Sequence, residues 1–343
     1  MSSRRFFALA LLAAAAGCQG VLPWSPARAR WQLCPSGVDQ SLRGLAPVSR
    51  DVCYVGGSAG TLRKTTDGGE TWRDVAPAGS AGCDFRDVEV VAPGVVVTMV
   101  AGSPARIYRS TDGASSWELV HEDPRPAAFF DAVAFDGARG VAFGDAIDGR
   151  FVLLQSLDAG RTWQDVPGEA LPAPRGQEAA FAASGTCLVI GPGGFSLVTG
   201  GDACRHVGFS PGGPRRVVEL PLRSGNGSSG AFSIAWNGAR GVCVGGDYRA
   251  VERDAGSAAY TDDGGRTWRA AAAGGYRSGV AWVSSRDVVA VGSHGASWST
   301  DSGRTFTPFG GEAFHSVARA GDGAVWACGA NGRVARLVFG QRP

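Results

Sequence analysis

Short apolar runs, broken by Gly- and Asp-rich turns, recur along most of this 343-residue chain. In one stretch they fall at 85–91, 95–101, 107–110 and 117–120; in a later one they fall at 278–283, 287–292, 296–299 and 306–309. Runs this short, bounded by turn residues, predict β-strands in sets of four. The 3.6-residue spacing of an amphipathic helix is nearly absent, and the 53 glycines suit a chain of many tight turns. The sets repeat every ~45 residues, which is the signature of a propeller built from four-stranded blades.

The repeats share a motif. TTDGGETW (65–72), STDGASSW (110–117), SLDAGRTW (156–163), TDDGGRTW (261–268) and STDSGRTF (299–306) all fit Ser/Thr-x-Asp-x-Gly-x-x-aromatic, with Ala114 replacing the glycine once. This is an Asp box. Its short polar side chains hold a turn through nearby backbone amides. Its glycine takes angles closed to other residues, and its aromatic ring is expected to be buried beneath the hairpin. The box therefore belongs between the third and fourth strands of a blade. Asp67 with Trp72, Asp112 with Trp117, Asp158 with Trp163, Asp263 with Trp268, and Asp301 with Phe306 are read as structural, not catalytic.

A fourth repeat has lost its Asp: SPGGPRRVVEL (210–220) stands at the box position, flanked by strand patterns at 195–199 and 217–220. Residues 314–338 supply only three strands, and an orphan strand at 30–33 begins like the fourth strand of a blade. The expected fold is all-β, a single seven-bladed propeller whose ring is closed by that N-terminal strand, which also removes exposed sheet edges. Six blades plus a terminal cap is the alternative.

The N-terminus changes the setting. In MSSRRFFALALLAAAAGCQG, Arg4 and Arg5 precede an apolar run at 6–16 and then Cys18. The run is shorter than the ~20 residues a membrane span needs, so 1–17 reads as a signal peptide. Small residues before Cys18 resemble a lipobox, in which that cysteine is lipidated and becomes the new N-terminus. Residues 18–29 would then be a tether and 30–343 the propeller. The arginine pair also fits a twin-arginine signal, beside the general secretory route. The expected location is the bacterial cell envelope, with the membrane reached through lipid alone.

Without residues 1–17 the chain keeps 31 basic and 31 acidic residues, so nothing suggests a nucleic-acid partner. Of the eight cysteines, none has metal-ligand spacing. Cys53, Cys243 and Cys328 occupy equivalent places in apolar strands and read as buried hydrophobes; Cys187 with Cys204 is the candidate disulfide. No HExxH or GxGxxG motif is present, and 191–194 lacks the Lys-Ser/Thr of a phosphate loop and reads as a turn. No metal, cofactor or catalytic residue is therefore assigned.

Aligning the innermost strands places Arg43, Arg86, Arg277 and His315 on one channel rim with Glu178. Arginine forks recognise carboxylates and phosphates by paired hydrogen bonds, which makes the rim a candidate site for an anion or acidic peptide. The alternative is a structural network with Asp87, Asp131 and Glu178. Two longer hairpins, 144–150 and 246–257, offer Asp145, Asp148, Arg150, Asp247, Tyr248 and Arg249 as partner contacts, or as plain solvated turns.

With its boxes and with GDAIDGRFVLLQS (144–156), EAAFAASGT (178–186), SGNGSSGAFSIAW (224–236) and GVCVGGDYR (241–249), the chain resembles the photosystem II stability/assembly factor-like family of bacterial propellers. It also resembles related lipoproteins labelled oxidoreductase or glycosyl hydrolase. The resemblance spans roughly 30–340 and implies a monomeric, lipid-anchored propeller that binds or helps assemble a protein partner. Sialidases share the boxes, but their Arg-Ile-Pro segment is absent. A glycoside hydrolase remains the alternative function, favoured over an oxidoreductase. Its carboxylates would need to stand ~5–10 Å apart.

Overall fold

The computed structural model describes residues 28–166, 171–191, 194–209 and 216–340. The signal peptide, Cys18 and all but the end of the tether lie outside them. Seven antiparallel sheets form a ring in which the innermost strands of neighbouring blades touch, blade 7 against blade 1. Those strands are Leu42–Pro47, Asp84–Ala92, Phe130–Asp136, Leu188–Gly191, Asn226–Asn237, Gly279–Trp282 and Ser316–Arg319. Ala29–Leu33 is the outermost strand of blade 7, paired antiparallel with Val334–Phe339. The N-terminal strand thus closes the ring, and the fold is a seven-bladed propeller.

Within each box the hydrogen bonds follow one pattern. Thr65 donates its hydroxyl to Asp67 Oδ1 (2.8 Å) and accepts from the Gly69 N–H (2.9 Å), while Asp67 Oδ1 also accepts from the Thr71 N–H (2.9 Å). Ser110/Asp112, Ser156/Asp158, Thr261/Asp263 and Ser299/Asp301 repeat it. Ala114 holds the glycine place at φ 72, and Gly69 does so at 87, so the exception takes the same left-handed turn with its Cβ in place. The box aromatics are half-buried, not buried as expected. Trp163 lies edge-on to Phe135, and Trp72 to Trp326.

These hydrogen bonds have a pH signature. The Thr71 and Thr65 hydroxyls and the Thr71 amide hold the Asp67 carboxyl down to about 2, and Asp158 is likewise held to about 2, chiefly by Thr162. Because the folded pKa lies below the unfolded ~4, this contribution is complete above ~4 and disappears as pH falls through the folded value. The gap in melting temperature between wild type and Asp67→Asn, followed by circular dichroism, is expected to narrow from pH ~4 to ~2. A gap independent of pH would refute this account of the box.

Three further expectations need correction. The innermost strand of blade 4 is Leu188–Gly191, so the alignment that put Glu178 at its start does not hold. Cys187 and Cys204 are unpaired buried thiols, as are the other described cysteines. The second strand of blade 4, Gly194–Val198, runs between Leu188–Gly191 and Arg205–Phe209, so the two cysteines flank a strand instead of facing each other. Cys53, Cys243 and Cys328 are fully buried, but their registers differ. Cys53 begins its strand opposite Pro47, whereas Cys328 ends its strand opposite Ser316.

Candidate functional site

Antiparallel order fixes which residues share a face. The starts of the innermost strands, the hairpins between second and third strands, and the links between blades all lie at one end of the channel. The Asp boxes lie at the other. Arg43, Arg86 and His315, from blades 1, 2 and 7, therefore share a mouth with the 144–150 and 246–257 hairpins.

Arg43 is half-buried, and its pKa is lowered first by burial and then by the charge of Arg86. Its Nη1 donates to the Ala183 carbonyl at 3.3 Å; among the described residues no carboxylate pairs with it. Arg86 pairs with Asp84 at 2.7 Å, donates to the Ala182 carbonyl at 3.3 Å and lies 5.8 Å from the Phe129 ring centroid. His315 is pushed down to about 4 by burial and then by both arginines, and so is neutral at pH 7.

The structure removes Arg277 and Glu178 from this group. Arg277 is 3% exposed and folds into blade 6, donating to Ser297 Oγ (2.7 Å) and to the Tyr276 and Gly274 carbonyls. Glu178 is buried in a two-pronged ion pair with Arg205, at 2.7 and 2.5 Å. The alternative network is not formed either. Asp87 accepts from the Val88 and Val133 amides, each at 2.9 Å, and burial raises its pKa to about 8. Asp131 is fully buried, with no hydrogen-bond partner on either carboxylate oxygen among the described residues, and burial raises its pKa strongly.

What sequence reasoning missed is the segment 179–187, which crosses the mouth between Glu178 and the innermost strand of blade 4, Leu188–Gly191. It supplies the carbonyls facing Arg43 and Arg86 and is held at Ala180 N–H by Asp145, at 3.3 Å. It passes so close to Asp87 that a Cβ on Gly185 would sit 2.3 Å from the carboxylate. Phe181 stacks on Phe232 at 3.9 Å, and Tyr248 and Tyr276 stand edge-on to the pair. Four rings thus form an aromatic wall beside the arginines. The small-residue run EAAFAASGT carried the signal, as a stretch without strand alternation.

The hairpin residues divide. Asp148 and Arg150 are exposed at their tip, while Asp145 is spent on the plug. Asp247 is buried, accepting from the Ser228 hydroxyl (2.8 Å) and the Arg249 N–H (2.9 Å). This leaves Tyr248, 42% exposed, and Arg249 beside it facing solvent. Among the described residues no cluster of three or more His, Cys, Asp or Glu is arranged to hold a metal ion.

Fold and mouth together define a single-ring, seven-bladed propeller with a basic, aromatic-walled channel entrance. Among solved structures it is similar to YCF48 bound to a D1 peptide, with 17% identity and TM-score 0.65 over 93% of this chain and 97% of that one. YCF48 from Cyanidioschyzon merolae is similar at 16% identity and TM-score 0.64, over 89% and 98%. A streptogramin B lyase is similar at 12% identity and TM-score 0.59, over 93% and 100%. At these identities the likeness is one of fold. No family model and no curated protein matches the sequence.

Proposed function

We propose that this chain is an exported, lipid-anchored propeller of the bacterial cell envelope that binds a protein partner through an acidic segment, without chemistry of its own. Arg43 and Arg86 provide the anion contacts, and Tyr248, Arg249, Asp148 and Arg150 the outer ones. The observation that carries this reading is the Arg43 guanidinium. It stands at the channel mouth beside a second arginine, with one carbonyl contact at 3.3 Å and no carboxylate partner among the described residues. A solved propeller of the same fold, bound to a peptide, and the resemblance to assembly-factor-like propellers support the same class of role. A glycan hydrolase would need reachable carboxylates, and Asp87 and Asp131, whose pKa values are raised, are buried.

The test is a crosslinked pull-down of the full chain from its own membranes, beside Arg43→Ala/Arg86→Ala. Each charge-assisted hydrogen bond contributes ~1.5–3 kcal/mol, so losing both is expected to weaken binding by about a hundredfold or more. A partner retained equally by the folded double variant would refute the rim as its site. Cys18→Ala is expected to release the protein from membranes into the soluble fraction, and a variant that stays membrane-bound would refute the anchor.

A further inference from the structure

Blade 4 differs from the box-bearing blades on the face opposite the arginines. In those blades the third strand places a longer side chain one residue before the box Ser/Thr: Lys64, Arg109, Gln155, Tyr260 and Trp298. Lys64 and Arg109 reach across to the next blade, donating to the Gly113 carbonyl (3.1 Å) and the Ala159 carbonyl (2.8 Å). They fill the wedge between blades. In blade 4 the same register position is Gly208, opposite Ser196, and the box Ser/Thr is replaced by Phe209. The bridge to the next box is made instead from the fourth strand, by Arg216 to the Gly264 carbonyl at 2.7 Å.

Losing that side chain leaves a cavity of ≈ 770 Å³, running from the wedge between blades 4 and 5 to the channel end beside blades 6 and 7. Its size falls in the ~300–1,000 Å³ range of small-molecule sites. Phe195 and Phe209 lie parallel at its outer end, with centroids 5.0 Å apart, and the indoles of Trp236 and Trp282 line its inner part. Among the described residues its lining contains no carboxylate, while Arg216 and Arg319 both border it. Arg319 is exposed and makes no direct hydrogen bond or ion pair among the described residues, although its charge helps to lower the pKa of the nearby Asp322 carboxyl. Aromatic walls favour a flat apolar body, and an exposed guanidinium outside any direct ion pair favours a negative head.

We propose that this groove binds a small amphiphilic anion, with a flat aromatic or unsaturated body between the phenylalanines and tryptophans and its acidic head at Arg319. The inference does not rest on the arginine rim, which lies on the other face and takes a macromolecular partner.

The probe is 8-anilinonaphthalene-1-sulfonate, titrated into the folded full chain, with the uncharged N-phenyl-1-naphthylamine for comparison. Gly208→Arg restores the wedge-filling side chain. A Cβ there would first meet His206 Cε1 at 3.5 Å, an ordinary contact, so the variant is expected to fold. Wild type is expected to show one saturable site, weakened about tenfold or more by Gly208→Arg. Arg319→Gln should weaken the sulfonate and leave the neutral probe unchanged, and Arg43→Ala/Arg86→Ala should alter neither. Absence of saturable binding in the wild type, or equal binding by Gly208→Arg, would overturn the site. Equal loss of both probes in Arg319→Gln would overturn the anionic head.

Discussion

Arg205→Met is expected to destabilise the propeller by about 3–5 kcal/mol, because it strands a buried carboxylate. The Glu178 and Arg205 side chains are 0% and 3% exposed. The guanidinium spans both oxygens, the Thr199 hydroxyl donates to Oε1 at 2.5 Å, and the Arg175 N–H donates to Oε2 at 3.0 Å. Removing the arginine leaves those neutral donors facing a charge that water cannot reach. Removing both charges is a different perturbation: Glu178→Met/Arg205→Met should recover most of the loss, since well-packed apolar groups often replace a buried pair without penalty. Chemical denaturation midpoints of the two variants decide the matter. A single variant within ~1 kcal/mol of wild type would mean that the pair is not dry. The consequence reaches the mouth, because Glu178 directly precedes the segment laid across it. Loosening that segment frees Arg43 and Arg86 from the Ala183 and Ala182 carbonyls.

The ring was legible because its determinants are local. Each box is eight residues of side-chain-to-backbone hydrogen bonding, and the alternation of short strands needs no distant partner to be recognised. Even the closing strand could be inferred from a blade left one strand short. The errors share a different cause. Placing Glu178 on the rim came from aligning it with the starts of the other innermost strands, whereas the chain spends 179–187 crossing the channel before the apolar hairpin of blade 4 begins. Arg277 lies just ahead of its innermost strand and Arg86 near the start of its own, but Arg277 finds Ser297 Oγ and the Gly274 carbonyl within reach and turns inward. Sequence specifies a position on the strand; the direction of a long side chain depends on acceptors offered by strands far along the chain. The proposed disulfide failed similarly, since pairing required two cysteines to face each other across a strand that separates them.

Trp31→Ala is expected to cost about 3–5 kcal/mol, the range for emptying a buried aromatic site, although it lies in a five-residue strand at the outer edge of the ring. Trp31 is 7% exposed, with its ring centroid 4.9 Å from that of Phe314 and 5.9 Å from that of Phe309. Phe309 ends blade 6 and Phe314 leads into blade 7, so one indole fastens the seam between them. Its Nε1 has no hydrogen-bond partner among the described residues, so the contribution is packing. Trp31→Phe should therefore keep most of the stability, and a phenylalanine variant as damaged as the alanine one would contradict this account. Deleting residues through Leu33 goes further, uncovering the Val334–Phe339 backbone. An uncovered strand edge is a template for another chain, so light scattering is expected to show concentration-dependent association. If the truncated protein stays monomeric with an unchanged melting temperature, the ring does not depend on this strand. If it associates, Ala29–Leu33 is the element that holds the ring shut. The lipid anchor proposed at Cys18 would attach just before it, so that a pull on such an anchor would load the Ala29–Leu33 ladder before any other part of the fold.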